Sequence, residues 1–406
     1  IAAIESLSLK SHSLDPETGR TPPSGWNLDI KDSKGCPYYT GVLIEGISEF
    51  KTPDFMARRL LACGIRSINL IVDITNYVLL EYGQPLHAFD ADLIRGKEIL
   101  IRKARAGEKL IAINGATLQL HSEDLVIADS ERVVALAGVM GGQETEISER
   151  SRNVFLESAF FDPGRVRRTS RRHQISSDSS YRFERRVDPE AVDAGRQRAL
   201  ALIKQYAKPR HISACIKAGE KPRLEVSTLH LRDDEVRDTL GCEVKPAQIA
   251  SILTRLGCDV KQHAPGSWKV SVPSFRADLQ RSIDLVEEVA RIFGYNSIPE
   301  TLPARPPIAV TENPRLKLEK KIRQYLSGAG LHETVTFSLV AEQGLDPVKD
   351  LGTGVKIINP LQHGLHWMRP TMITSLLNVI RKNVNAGADS VAIFEIANLY
   401  RMPDKG

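Results

Sequence analysis

The pattern of apolar and polar positions changes several times along the chain, and these changes predict a multidomain α+β protein. Residues 1–35 are polar and turn-rich, which predicts the remnant of an upstream domain and a linker. A helix is predicted in PDFMARRLLACG (53–64), with Pro near its start and Gly after its end. Short apolar segments follow at regular spacing between Gly, Asn and Asp turns: EILIRKA, KLIAING, DLVIAD and VVALAG. This spacing is typical of an antiparallel sheet, and we expect one domain over 36–215.

A smaller domain is predicted over 222–300. Two short helices, Asp233–Leu240 and Pro246–Leu256, each end at a Gly, and a hairpin and a longer helix (Leu279–Phe293) follow. This order is typical of a winged-helix-like module, which often contacts nucleic acid or another protein.

A third domain is predicted over 311–406, after a Pro-rich stretch (301–314) that reads as a stiff linker. It begins with an amphipathic helix and continues in short strand-like segments.

The composition is that of a soluble globular protein, with 42% hydrophobic and 26% charged residues. No apolar run approaches the roughly 20 residues that a membrane helix needs. The cysteines are odd in number and form no CxxC pair, so we expect a reduced, cytoplasmic protein without structural zinc or disulfides. They are Cys36, Cys63, Cys215, Cys242 and Cys258.

Positive charge is concentrated in one segment. Arg165 to Arg186 contains eight Arg and two acidic residues, a net charge of +6, whereas the whole chain carries +5. Such a segment predicts contact with a polyanion, most simply RNA, and the alternative is a solvated helix face. The predicted RNA contacts are Arg165, Arg167, Arg168, Arg171 and Arg172.

A second candidate site surrounds Glu157, an acid within the apolar run NVFLESAFF and one residue beyond an alternating strand pattern. A buried carboxylate is unfavourable unless it has a partner, so a recognition role is one reading. The alternative is a Glu on the solvent face of an edge strand. His87 and the glycines of LAGVMGG have equally ordinary readings as turn residues. The full constellation is Arg66, His87, Gly138, Gly141, Glu157, Ser177 and Ser179.

A third candidate is an acidic cluster around the helix predicted from Leu279. Its members are Asp278, Asp284, Glu287 and Glu288. Carboxylate oxygens suit Mg²⁺. The alternative is an acidic first turn that complements the helix dipole.

Several segments of the chain resemble those of a known family. RSINLIVDITNYVLLEYGQPLHAFD, LAGVMGG, FLESAFFDP and SSDSSYRFERRVDP are similar to the editing domain of bacterial-type phenylalanyl-tRNA synthetase β chains. VPSFRADLQRSIDLVEEVARIFGYNSIP resembles the next domain of those chains. NPLQHGLHWMRPTMITSLLNVI resembles the start of their catalytic-like domain, a degenerate class II synthetase fold. The resemblance covers 36–406, and we expect an internal fragment.

The resemblance implies a heterotetramer of two α and two β chains that attaches phenylalanine to tRNA(Phe) with ATP and Mg²⁺. The α chain would hold the synthetic site, and this chain would hydrolyse mischarged Tyr-tRNA(Phe). It implies that Glu157 accepts the tyrosine hydroxyl's hydrogen bond and that backbone near Gly138 and Gly141 shapes the pocket. His87 and Arg66 would border the ester and terminal adenosine. The opposite wall would be Ser177 and Ser179.

The resemblance also implies that the acidic cluster binds Mg²⁺ at the α–β boundary. The chain departs from the family at Ser177 and Ser179, where Thr and Ala are usual, and at Arg186, where Gly is usual. One alternative is therefore a tRNA-binding scaffold with a decayed editing pocket. Another is an unrelated nucleic-acid-binding regulator that uses the winged-helix-like module.

Overall fold

The computed structural model of the chain describes residues 3–5, 19, 21–222, 227–302, 311–345, 354–362 and 364–402. The chain divides into two compact units, Ile1–Glu300 and Thr301–Gly406. The fold is mixed α+β with several antiparallel sheets, as predicted. Among the described helices, none has the length and apolar character to cross a membrane. Most of the predicted linker at 301–314 lies outside the described residues.

The first unit contains the following elements. Its strands are β1 (Asn27–Ile30), β2 (Tyr38–Glu45), β3 (Leu86–Asp90), β4 (Glu98–Lys103), β5 (Lys109–Ile111), β6 (Thr117–Gln119), β7 (Leu125–Ala128), β8 (Val133–Leu136), β9 (Met140–Gly141), β10 (Val154–Phe160), β11 (His211–Ile212), β12 (Ile216–Gly219), β13 (Thr228–Arg232), β14 (Asp259–Ala264) and β15 (Ser267–Ser271). Its helices are α1 (Asp54–Ala62), α2 (Leu70–Tyr82), α3 (Pro163–His173), α4 (Asp178–Phe183), α5 (Pro189–Tyr206), α6 (Asp233–Leu240), α7 (Pro246–Arg255) and α8 (Ser282–Phe293).

Two sheets form the frame of the first unit. The β8 sheet has the strand order β1-β4-β7-β8-β9, and the β10 sheet has the order β11-β2-β10-β3, with β12 also paired to β2. Neighbouring strands are antiparallel, except that β1 and β4 are parallel. The separate pair β5–β6 is a short antiparallel hairpin.

Strand β1 lies in the stretch that the sequence assigned to a remnant and linker. It pairs with β4 at the edge of the β8 sheet. Trp26, just before it, stacks on Phe155 of β10 with 4.8 Å between the ring centroids. Residues 27–30 are therefore part of the first unit. A four-residue edge strand carries too little periodicity to be separated from a linker by pattern alone.

The core of the first unit lies on both faces of the β10 sheet. On one face the two sheets pack together around residues such as Phe89, Phe155 and Leu136. On the other face α1, α2 and α5 pack around residues such as Ile74 and Leu156. All seven residues of β10 are buried, because the strand is covered from both sides.

Residues 227–300 surround a separate core. The antiparallel sheet β13-β15-β14 packs with α6, α7 and α8, and the predicted order of helix, helix, hairpin and helix is present. Helix α8 begins at Ser282 rather than at the predicted Leu279. The reason is local, because the Asp284 carboxylate accepts hydrogen bonds from the backbone N–H groups of Gln280 (3.0 Å) and Arg281 (2.9 Å). These two residues therefore precede the first turn.

The second unit consists of short strands and two helices among the described residues. They are β16 (His332–Glu333), β17 (Leu339–Val340), β18 (Val355–Lys356), β19 (Trp367–Met368), β20 (Ile393–Phe394), α9 (Pro314–Gly328) and α10 (Ile373–Asn385). Strand β16 pairs with β20 in parallel, and β17-β19-β18 is antiparallel. Arg369 and Glu395 form a buried ion pair of 2.9 Å, and both also bond Thr336.

The loop before α2 is held in place by the buried Asp73 of that helix. Its carboxylate accepts hydrogen bonds from the Thr52 hydroxyl (2.6 Å), the Ser67 hydroxyl (2.5 Å) and the Ile68 backbone N–H (2.9 Å). Asp73 thereby fixes the segment that leads from α1 into α2.

Replacing Asp73 with Ala is expected to destabilise the protein by about 2–4 kcal/mol, because three donors lose their buried acceptor. Chemical denaturation would measure the change in the free energy of unfolding. Asp54→Ala is the matched control, since Asp54 is an exposed acid in the first turn of α1. Similar, small effects of the two substitutions would contradict this role of Asp73.

Candidate active site

Glu157 occupies the middle of β10, not the end of a strand, and it is only 5% exposed. It pairs with Gly41 on β2 and with His87 on β3. Directly opposite residues of an antiparallel pair point to the same face, so Glu157 and His87 share one face of the sheet. This placement excludes the alternative of a solvent-facing Glu on an edge strand.

Burial shifts the pKa of each of these residues in the direction that favours its neutral form. It raises the pKa of Glu157 to about 7, against the opposing effect of a 2.6 Å hydrogen bond from the Tyr39 hydroxyl. Burial also lowers the pKa of His87 to about 4. At neutral pH the imidazole is therefore uncharged and the carboxyl group is close to its midpoint.

Both side chains line a cavity of about 220 Å³. The cavity lies between α2, the β8 and β10 sheets and the start of α4, and most of its wall is apolar. Six of the seven predicted residues of this constellation line it: His87, Gly138, Gly141, Glu157, Ser177 and Ser179. Arg66 does not, although Ile68, two residues later, does. Arg66 lies exposed in the loop between α1 and α2.

The two glycines make room for neighbouring side chains. A Cβ atom at Gly141 would lie 2.5 Å from His87 Cε1 and 2.8 Å from His87 Nε2. Gly138 has φ +68°, and a Cβ atom there would lie 3.0 Å from Phe161 and 3.2 Å from Phe183. Any side chain at Gly141 would therefore displace His87, and one at Gly138 would be strained.

Ser177 serves the start of α4 as well as the cavity wall. Its hydroxyl accepts a hydrogen bond from the Ser180 backbone N–H (3.0 Å) and donates one to the Val139 carbonyl (2.7 Å). It is the N-cap of α4 and ties that helix to the LAGVMGG turn. A Thr at this position would supply the same hydroxyl. Arg186 has φ +71°, a conformation that favours glycine.

Several residues in the cavity wall or directly behind it are not indicated by the sequence pattern. Tyr39 reaches Glu157 through the register of β2 and β10, which no local pattern encodes. Thr75 and Asn76 line the cavity from α2, in a segment whose β-branched residues obscured a helix. A signal for that helix was present, because Asn69 caps it and Gly83 ends it in a left-handed conformation.

The predicted RNA-contacting arginines lie on α3 and differ in their surroundings. Arg165 forms an ion pair with Asp32 (2.6 Å), and Arg172 forms one with the buried Asp124. These two guanidinium groups fasten α3 to the rest of the unit. The others are exposed and form no ion pair with any residue that the structure describes. They are Arg167, Arg168 and Arg171.

The predicted metal ligands are engaged with the protein itself. Arg276 bonds Asp278 (2.6 Å) and Glu288 (2.9 Å), and its guanidinium keeps the pKa of Asp278 below the ordinary range. Asp284 accepts two backbone N–H groups at the start of α8. Within the described ranges, no group of three or more His, Cys, Asp and Glu side chains, Glu287 included, is arranged to hold a metal ion. The residues in this arrangement therefore do not fit a Mg²⁺ site.

Three family models match consecutive parts of the chain. The B3/4 domain matches residues 35–208, which include β10 and the cavity. The tRNA synthetase B5 domain matches residues 229–295. The phenylalanyl tRNA synthetase beta chain CLM domain matches residues 298–405.

Similar proteins bear one name. The phenylalanine–tRNA ligase beta subunit of Geobacter metallireducens is 40% identical over 382 residues, which is 93% of this chain and 47% of that protein. The beta subunit of Moorella thermoacetica is also 40% identical, over 90% of this chain and 46% of that protein. The chain thus spans about half the length of the curated relatives it matches.

A solved structure is also similar, an N-terminal fragment of the phenylalanyl-tRNA synthetase beta subunit from Pyrococcus horikoshii. The match has 17% identity and a TM-score of 0.35, and it covers 69% of this chain and 78% of that one. This likeness is too low to support a statement about the site. On the family models and the relatives, the chain belongs to the phenylalanine–tRNA ligase β-subunit family.

Proposed function

We propose that the chain supplies the editing site of a phenylalanine–tRNA ligase, where tyrosine wrongly attached to tRNA(Phe) is hydrolysed. The observation that carries the proposal is a buried carboxylate, Glu157, in the wall of a mostly apolar cavity. The apolar wall accommodates an aromatic ring, and the carboxylate accepts the hydrogen bond of a phenolic hydroxyl.

The difficulty of distinguishing phenylalanine from tyrosine explains why a ligase needs such a site. A hydrophobic synthetic pocket rejects a substrate with one added hydroxyl by only about 10²-fold, which is short of the roughly 10⁴-fold that translation requires. A second site that hydrogen-bonds the hydroxyl reverses the preference. Phenylalanine in this cavity would leave the second oxygen of Glu157, the one that does not accept the Tyr39 hydroxyl, desolvated and without a donor, so it would bind poorly.

Hydrolysis here is assigned to a positioned water molecule. Ser177 in the cavity wall donates its hydroxyl proton to the Val139 carbonyl, so its hydroxyl is not paired with a base that would activate it as a nucleophile. His87 is neutral at physiological pH, so its free nitrogen can accept a hydrogen bond from water. The cavity would hold the ester in place, and the ribose hydroxyl of the substrate would help to activate the water.

The exposed arginines of α3 are proposed to contact the tRNA backbone. Arg167, Arg168 and Arg171 lie on the helix that begins three residues after the end of β10. They place three positive charges, without an ion-pair partner among the described residues, on one short helix, where they can neutralise phosphates. Arg66, exposed in the loop beside the cavity, is proposed to border the terminal adenosine.

The α subunit is the proposed partner, in a complex of two α and two β chains with the ATP-dependent site on α. Support comes from the second unit, where α9 has no buried residue in the described chain. Tyr325 is 79% exposed, and Val335 and Phe337 are 91% and 80% exposed. Large apolar side chains with this degree of exposure are consistent with a surface that another chain covers. We place the winged-helix-like module at 222–300 and the class II-like domain at 311–406.

No step of this proposal uses Mg²⁺. The Arg276 guanidinium lies between Asp278 and Glu288 and satisfies both carboxylates. A scaffold with a decayed pocket is not favoured either, because the bond between Tyr39 and Glu157 and the room for His87 beside Gly141 are both retained.

Glu157→Ala in the complete ligase is expected to preserve phenylalanylation while Tyr-tRNA(Phe) accumulates. Loss of a hydrogen bond to a charged group should lower tyrosyl-ester hydrolysis about 10- to 100-fold. Deacylation of purified Tyr-tRNA(Phe) would measure it. Glu144→Ala, which removes an exposed carboxylate ion-paired with Arg132, is the control. Unchanged hydrolysis by Glu157→Ala would remove the recognition role.

Neutralising Arg167, Arg168 and Arg171 together with Gln is expected to weaken tRNA binding and flatten its salt dependence. Loss of three phosphate contacts should reduce the log–log slope by roughly 2–3. The control removes three exposed basic residues elsewhere: Arg232, Arg237 and Lys261. An unchanged slope in the α3 variant would show that α3 does not bind the phosphates, and an equal change in both variants would assign the effect to net charge and not to α3.

A further inference from the structure

The two oxygens of the Glu157 carboxylate have different surroundings. Oε2 accepts the Tyr39 hydroxyl at 2.6 Å. Oε1 has no hydrogen-bond partner among the residues that the structure describes, although the side chain lines the cavity. Tyr39 itself is fully buried and is not part of the cavity wall. Oε2 is therefore occupied by Tyr39 from outside the cavity, and Oε1 remains available to a ligand in the cavity.

The register of the sheet fixes this arrangement. Gly41 lies opposite Glu157, and Tyr39 lies opposite Ala159, two residues further along β10. Tyr39 and Glu157 are thus diagonal neighbours on the same face, within reach of a long aromatic side chain. The Tyr39 ring belongs to the core between the two sheets, which leaves its hydroxyl little freedom.

We propose that Tyr39 is a positioning residue for tyrosine recognition, which occupies Oε2 of Glu157 and so presents Oε1 as the acceptor for the substrate's phenol. This inference rests on the proposed editing function. It assigns the selectivity of the cavity to a pair of residues, of which only Glu157 would contact the substrate.

The charge state of Glu157 also depends on Tyr39. The titratable groups near it in the described chain are Tyr39, the buried Cys36 before β2, His87 on β3 and Glu146 at the cavity rim. None of these is a cation at neutral pH. The Tyr39 hydrogen bond lowers the pKa of Glu157, whereas burial raises it to about 7. Without the bond the carboxyl group would stay protonated to higher pH, and a neutral carboxyl group is a weaker acceptor for a phenol than a carboxylate.

The chain offers a matched control in the preceding residue. Tyr38 is also buried on β2, and its hydroxyl donates to the Asp193 carboxylate at 3.2 Å. Tyr38→Phe therefore removes a tyrosine–carboxylate hydrogen bond from the same strand without touching Glu157. Tyr39→Phe removes the bond to Glu157 and keeps the ring.

The test measures hydrolysis of Tyr-tRNA(Phe) and Phe-tRNA(Phe) by the complete ligase from pH 5.5 to 9. In the wild type, the ratio of tyrosyl to phenylalanyl kcat/KM should rise with pH through about 7. Tyr39→Phe should lower that ratio at neutral pH at least tenfold and shift its rise to higher pH. Tyr38→Phe should match the wild type. A Tyr39→Phe enzyme with the wild-type ratio and pH profile would overturn the inference.

Two further measurements separate this role from loss of folding. The first compares the thermal unfolding temperatures of Tyr39→Phe and Tyr38→Phe, to establish whether either substitution destabilises the fold. In the Glu157→Gln background, which has no ionisable group at 157, Tyr39→Phe should cause no further loss of the ratio. An equal additional loss in that background would assign Tyr39 a merely structural role and overturn the proposal. A wild type that hydrolyses neither ester would overturn the editing function itself, whereas an active wild type with an unaffected Tyr39→Phe overturns only this inference.

Discussion

The burial of one carboxylate in the middle of β10 is the constraint on which the candidate site depends. Glu157 lies between two strands and under a second sheet, and within the described part of the chain one neutral hydrogen bond, from Tyr39, offsets its desolvation. A buried acid with so little compensation is unfavourable for folding, and its pKa is raised to about 7. The fold therefore retains a group that a ligand with a hydroxyl can satisfy better than the protein does.

In the proposed editing site, the residues around the Glu157 carboxylate preserve its selectivity for a hydroxyl. Gly141 leaves the space that His87 occupies, and Ser177 fixes α4 to the turn before β9. Neither His87 nor Ser177 contributes a positive charge that would neutralise the Glu157 carboxylate permanently. A cation in the wall would hold Glu157 ionised and satisfied whether or not a phenol is bound, and the contrast between tyrosine and phenylalanine would shrink.

The sequence identified most of the residues that line the cavity, but it did not predict how they are arranged in space. An acid within an apolar run identifies Glu157, but it cannot distinguish an edge strand from a strand covered on both faces, because that depends on distant segments. Tyr39 lies 118 residues away from Glu157 and is brought to it only by strand register. The arginine run was visible as charge, yet the ion pairs of Arg165 and Arg172 depend on Asp32 and Asp124, which the tertiary fold supplies.

The acidic cluster illustrates the same limit. The sequence places four carboxylates near one helix start, and their spacing alone suits either a cation or the helix dipole. In the structure Arg276 bonds two of them, and Asp284 binds the backbone before α8. The choice between a cation site and a helix-dipole role depends on a neighbouring arginine and on the residue at which the helix begins. Neither of these follows from the pattern of acidic residues.

The most direct test of Glu157 as the discriminating group is a side-by-side measurement of Tyr-tRNA(Phe) and Phe-tRNA(Phe) deacylation by the wild-type ligase at neutral pH. We expect rapid loss of the tyrosyl ester and loss of the phenylalanyl ester close to the rate in buffer. Equal rates for the two esters would contradict it, because Glu157 would then not discriminate between a ring with a hydroxyl and a ring without one.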